Sequence, residues 1–331
     1  PSSPPTSYEH SVRQSSLLRL VFLSPRLMQT KRLWLVYALV TTVAWGVWGA
    51  FIDHPAIPDP AVPDDPTFPP TLGYIAWSLT MIPPAIVGLS LIRWRLDTHP
   101  QAVLQGMSVG LLGAAGQLVL FQALRLAPAY LVFAFVSLSP VITILLAALL
   151  GGERAHFYGV IGVLLAIVAG VLLSPAVELI PFGDEPASAA ELEDTPVESD
   201  AGPSEAPPTR ATWVILSVLA LTAWGVQGYL FSSANRVMQA ESIFFYMMAS
   251  GLLLAQIAWW MTDFTQPIDW GLGGPWLSAA IHVLNAVGAL LIVYAFRYGK
   301  AMFVAPLTNA GAPAITILIS IFLSQNLPGV L

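Results

Sequence analysis

Six side chains stand where an apolar chain accommodates them at greatest cost: Trp48, Gln117, Gln227, His282, Asn285 and Asn309. Each lies in a run free of Asp, Glu, Lys and Arg. A polar group in such a run needs a partner on a neighbouring helix, in a cavity or on a ligand. Two of the runs carry matching faces at helical spacing, Gly106, Gly110, Gly113 and Gln117 in one, Ser278, His282, Asn285 and Ala289 in the other. The chemistry open to these groups is hydrogen bonding to a small polar solute. Covalent chemistry is not, because a nucleophile, base and acid in one place cannot be assembled from a single deep histidine. No catalytic residue, metal site or cofactor is therefore expected. His282 is also the one deep side chain that titrates near neutral pH, which favours a facilitator or exchanger over a proton-driven carrier. The competing reading is structural: the glycines pack helices, and His282 and Asn285 satisfy each other.

Pro140 and Pro313 stand inside two further runs. Each removes a backbone hydrogen bond and should kink its helix, freeing carbonyls near Ser137, Ser139 and Asn309 for solute, water or a gating motion. Asn309, Pro313, Thr316 and Ser320 share a face. Trp45 and Trp48 correspond to Trp224 and Gln227, with glycines between them that loosen both helices. Trp34, Trp77, Trp94, Trp259 and Trp260 read instead as an interfacial belt.

The elements that must hold these residues are membrane spans. Of the 331 residues 56% are hydrophobic and 10% charged, against about 25% charged in soluble domains. Nine charge-free runs reach the ~20 residues a helix needs to cross hydrocarbon, predicting spans near 33–52, 72–94, 102–124, 129–150, 156–174, 212–235, 242–261, 275–296 and 301–323. There is no cysteine, hence no disulfide or thiolate site. No basic patch or phosphate-cradling loop points to nucleic acid.

The chain repeats itself. Ala44–Gly49 returns at Ala223–Gly228, and Arg125 and Ala129 return at Arg297 and Ala301. After one inserted residue, Pro140 and Thr143–Leu145 return at Pro313 and Thr316–Leu318. Residues 1–32 read as a basic tail, 33–174 as a first five-span unit, 175–211 as an acidic, disordered linker and 212–331 as a second unit. An odd number of spans per unit inverts the second copy. Eleven of the 13 Lys and Arg fall on the side of the N-terminus, which places that side in the cytoplasm, by the excess of basic residues in cytoplasmic loops. The first unit continues apolar from Gly159 to Leu173 where the second ends, so a tenth span beyond Leu331 is expected. Met28 is a plausible natural start.

Four segments resemble a known family: AWGVWGAF at 44–51, ALRLAPAYL at 123–131, SLSPVITILLAALLGGER at 137–154 and APAITIL at 312–318. They resemble the drug/metabolite transporter superfamily in its EamA-type, ten-helix branch, across about 33–174 and 212–331. Asn326 departs from it, standing where the first unit has Glu153. The resemblance implies an all-α integral membrane protein of inverted five-helix repeats, nine spans being present. It also implies a cavity lined by the first, third, fourth, sixth, eighth and ninth helices. The function expected is secondary transport of a small organic metabolite or drug by alternating access, in a bacterial inner membrane. The expected partners are a small solute and lipid, not nucleic acid, with a homodimer left open. A non-transporting membrane scaffold or sensor, or an integral-membrane enzyme, are the alternatives.

Overall fold

The computed structural model describes residues 33–58, 65–151, 161 and 210–326. Among these, eight helices are long and apolar enough to span a membrane: α1 (Leu33–Ala56), α2 (Pro70–Leu91), α3 (Pro100–Leu124), α4 (Leu131–Leu149), α5 (Thr212–Ala234), α6 (Ala240–Trp260), α7 (Leu272–Tyr298) and α8 (Ala301–Ser320). The span expected near 156–174, the basic tail, most of the acidic linker and the residues after 326 lie outside the described residues. The described residues contain no strand, only an isolated bridge between Thr67 and Ile268. Outward faces are apolar, as at Val36, Val43, Val87 and Ile215, each more than half exposed, while Ser139, Thr143 and Thr316 are buried. That inside-out distribution suits a hydrocarbon surround, in which backbone and polar groups must find partners inside the protein.

The two halves are held by the same contacts. Thr316 Oγ1 donates to the Gly46 carbonyl at 3.0 Å, and its counterpart Thr143 donates to the Gly225 carbonyl at 2.8 Å. Trp45 Nε1 donates to the Asn285 carbonyl at 3.1 Å, and Trp224 Nε1 to the Gly113 carbonyl at 3.3 Å. The glycines permit these approaches: a β-carbon on Gly288 would sit 2.4 Å from Trp45 Nε1, and one on Gly116 2.6 Å from Trp224 Nε1. Repeated hydroxyl-to-carbonyl and indole-to-carbonyl bonds join helices in hydrocarbon, where both partners lack water.

The direction of the second half follows from three bonds. Thr41 meets Gly288, Trp45 meets Asn285, and Trp48 meets His282; numbers rise along α1 as they fall along α7, so the two run antiparallel. Short connections reverse the chain from α5 to α6 and again to α7, so α5 runs with α7 and against α1. The second set of four helices is thus inverted relative to the first. We call the end where α1 begins proximal and the other end distal.

Local chemistry explains the breaks. Helix α2 is interrupted at Met81, ahead of Pro83–Pro84, and stops at Arg93 and Trp94, which adopt φ of 54° and 60°. This left-handed stop comes slightly earlier than the span predicted to 94. Helix α4 divides after Val136 and resumes at Ser139, with Pro140 in the first turn of the second segment. Helix α8 takes a π turn over Pro306–Ala310. A π turn holds one more residue than an α turn, and it falls between Ala301 and Pro313, where the second half carries its one extra residue. At the proximal end, Asp97 Oδ2 accepts from the Gln239 backbone N–H and the Ser242 hydroxyl at 2.8 and 2.9 Å, a carboxylate at the positive end of α6.

Candidate functional site

All eight helices contribute to one interior cavity of about 80 Å³. Its wall is largely apolar, with seven aromatic residues. Trp45 and Trp48 come from α1, Trp77 from α2, Phe133 from α4, Trp224 and Phe231 from α5, and Phe296 from α7. No Asp, Glu, Lys, Arg or His is among its lining residues.

The indole N–H groups of all four tryptophans are committed to the protein. Trp45 and Trp224 donate to backbone carbonyls, as above. Trp48 Nε1 donates to His282 Nδ1 at 2.9 Å, and Trp77 Nε1 to Asn285 Oδ1 at 2.7 Å. An indole nitrogen can only donate. The atom Asn285 turns toward Trp77 is therefore its oxygen, and its amide nitrogen is the uncommitted end. Gln117, 3% exposed on the wall of the cavity, has a buried Nε2 without a partner among the described residues. Gln227 Nε2 donates to the Val109 carbonyl at 2.9 Å, in space left by Gly113, where a β-carbon would come within 2.1 Å of that nitrogen. Asn309, carried by the π turn, donates through Nδ2 to Ser139 Oγ at 3.3 Å and so bridges α8 to α4.

Trp48, Gln117, Gln227, Asn285, Asn309 and Pro313 thus come together around one cavity. His282 and Pro140 do not reach its wall. His282 is 1% exposed and sits behind Trp48, against the rings of Trp48 and Phe121. Its bond from Trp48 fixes the tautomer, with the proton on Nε2. The competing structural reading, in which His282 and Asn285 satisfy each other, is not what the structure has: each accepts from a different tryptophan. Pro140 is buried at the start of the second segment of α4, against the opposite unit: the Ser139 carbonyl lies 2.8 Å from where Gly225 would carry a β-carbon. The α3 glycines divide between packing and cavity. Gly106 lies against Tyr246 of α6, Gly110 lies against Ser250 and also lines the cavity, and Gly113 lines the cavity.

One tryptophan is corrected. Trp77 is 5% exposed and lines the cavity, so it is not a belt residue; Trp94, Trp259 and Trp260 are exposed near helix ends. The sequence reading also missed Phe231 and Phe296, apolar rings that fall on the helical faces of Gln227 and Asn285. Their rings stack 5.1 Å apart at 19° on the proximal side of the cavity. Beyond them Tyr37 stacks on Tyr294 and Tyr298, and the Tyr294 hydroxyl donates to Glu241. On the distal side Trp48, His282 and Phe121 form one layer, behind which lies a second pocket of about 340 Å³ bordered by Ile52, Asp53, Leu124 and Arg125.

Comparison with known proteins adds three findings. Residues 32–174 match the EamA-like transporter family. A solved structure described only as "Crystal structure of protein" is similar in fold, with a TM-score of 0.57 and 20% identity over 89% of this chain and 92% of its own. No curated protein matches the chain.

Proposed function

We propose, from the match of residues 32–174 to the EamA-like transporter family, that the chain is a secondary transporter of the drug/metabolite transporter superfamily. It moves a small organic solute by alternating access, through the aromatic cavity between its two inverted units. The units are 33–174 and 212–331, with 175–211 between them. Trp48, Gln117, Gln227, Asn285 and Asn309 face the solute, and His282 acts one layer back by orienting Trp48. Pro140 and Pro313 mark where α4 and α8 bend.

The observation that carries this reading is a difference between equivalent positions. The spacing that pairs Trp45 with Trp224 pairs Ile52 with Phe231, and the spacing that pairs Gly113 with Asn285 pairs Leu124 with Phe296. At the proximal end this pair is a closed aromatic stack; at the distal end it borders an opening. Two units of one design, closed at one end and parted at the other, are what a carrier has when it faces one side. The excess of basic residues on the proximal side supports a cytoplasmic proximal end; on that reading the distal end, where Ile52 and Leu124 border the second pocket, faces outward.

The test is flux. Liposomes holding the purified full chain and a panel of small metabolites should exchange at least one of them faster than protein-free liposomes. No exchange across the panel would count against transport. Orientation is tested separately with cysteines introduced at Ser90 and Ser188 in this cysteine-free chain. An impermeant thiol reagent on intact cells should label position 188 and spare 90, and the reverse pattern would overturn the orientation.

A further inference from the structure

We infer that the solute is uncharged, with a flat aromatic body and a carbonyl-type hydrogen-bond acceptor; this rests on the transport reading of the same cavity. With four indole N–H groups committed to the protein, the tryptophans offer a guest ring faces and edges rather than hydrogen bonds. Ring faces and edges favour a planar apolar body, packed by stacking or edge-to-face contact. The polar groups left over include two amide nitrogens, beside the amide oxygens of Gln117 and Gln227, which accept no hydrogen bond among the described residues. Gln117 has a buried amide nitrogen with no partner, and Asn285 is held by Trp77 so that its amide nitrogen is the free end. Both are donors, on α3 and α7, and both line the cavity. A buried donor without a partner is costly in the empty protein, and a carbonyl oxygen on the guest relieves that cost.

Charge is disfavoured in both senses. An ammonium entering the cavity would gain cation–π attraction but would meet no carboxylate. It would give up its hydration for neutral amide oxygens alone, beside two N–H donors that repel it. A carboxylate would be welcomed by the two amides, yet no Arg, Lys or His on the wall neutralises it, and an unpaired ion in such a place loses more than it gains. A neutral amide, ketone or lactam oxygen accepts from the same donors without that desolvation penalty.

Three probes share one aromatic body and differ in charge: indole-3-acetamide, indole-3-acetate and tryptamine. Their binding to the full chain in lipid nanodiscs at pH 7 can be measured by calorimetry. The amide should bind at least tenfold more tightly than either ion, and Gln117→Leu should reduce that preference by weakening the amide while tryptamine binds no more weakly than before. Tighter binding of tryptamine or of the acetate, equal binding of all three, or binding of none would each overturn the inference. Flux separates this from the premise. If a charged probe binds best and is carried, transport stands and the solute class falls. If the amide binds best and nothing is carried, the site stands and transport falls.

Discussion

Gln117→Leu should melt at a higher temperature than the parent and bind solute more weakly. The side chain is buried, makes no hydrogen bond among the described residues, and keeps its Nε2 in a place closed to bulk solvent. A buried unsatisfied polar group costs about 1–3 kcal/mol, and leucine removes that cost at similar volume. The same change takes away a donor the solute would use, worth about 0.5–1.5 kcal/mol or roughly 2- to 13-fold in affinity. Asn285→Leu should lower both quantities. It removes a donor from the site and also strips Trp77 Nε1 of the acceptor it holds at 2.7 Å, leaving a buried N–H at a cost of about 1–3 kcal/mol. Two amides on one wall therefore move stability in opposite directions. Thermal unfolding in detergent, followed by tryptophan fluorescence, reads the first effect, and calorimetry with indole-3-acetamide reads the second. If Gln117→Leu melts lower than the parent, its amide has a structural partner and is not held in reserve for solute.

The paired change Phe231→Ile with Phe296→Leu should loosen the proximal end. It places there the residues that the protein itself uses at the equivalent distal positions, Ile52 and Leu124, so each substitution is one the fold already tolerates. What is lost is the aromatic stack. Aromatic pairs contribute about 0.5–1.5 kcal/mol beyond their buried area. That weakens the proximal-closed state by about 2- to 13-fold relative to a proximal-open one, with further loss from the smaller side chains. The tyrosine layer at Tyr37, Tyr294 and Tyr298 lies next along the same path and should open more often. Amide exchange should accelerate at the start of α1 and the end of α7, and stay unchanged around Phe121 and Trp48. Uniform acceleration would mean that the pair supports the core rather than a seal.

Much of this arrangement was legible in the sequence, for identifiable reasons. Gln227 and Asn285 are conspicuous because each is a side-chain amide in a charge-free run, so each needed a partner or a cavity. The one-residue shift between the Ala129–Ala301 and Pro140–Pro313 correspondences signals the π turn of α8, since an added residue must be absorbed between two fixed contacts. Antiparallel setting of the units followed from an odd number of spans. Other features left no trace. A belt tryptophan and a cavity tryptophan are the same residue in the same apolar surroundings, and only the bond from Trp77 to Asn285 tells them apart. His282 was visible as polar, but whether it faced the cavity depended on the ring of Trp48 being in front of it. Phe231 and Phe296 lie four and eleven residues after Gln227 and Asn285, on the faces those amides mark, but an apolar ring in an apolar helix carries no polar signal of its own.

The most direct test of alternating access through this cavity uses a single cysteine at Ala289. That residue is 3% exposed, lines the cavity and is the counterpart of Gln117 in the other unit. The parent chain has no cysteine of its own, so any labelling reports on this position. The Ala289→Cys protein is reconstituted in liposomes, and a membrane-impermeant thiol reagent is added from the outside in one experiment and enclosed on the inside in another. Labelling should occur from either side, slowly, and the Phe231→Ile/Phe296→Leu background should speed it from the proximal side and slow it from the distal side. Labelling from one side alone, with no response to that background, would show a pocket that never changes the side it faces.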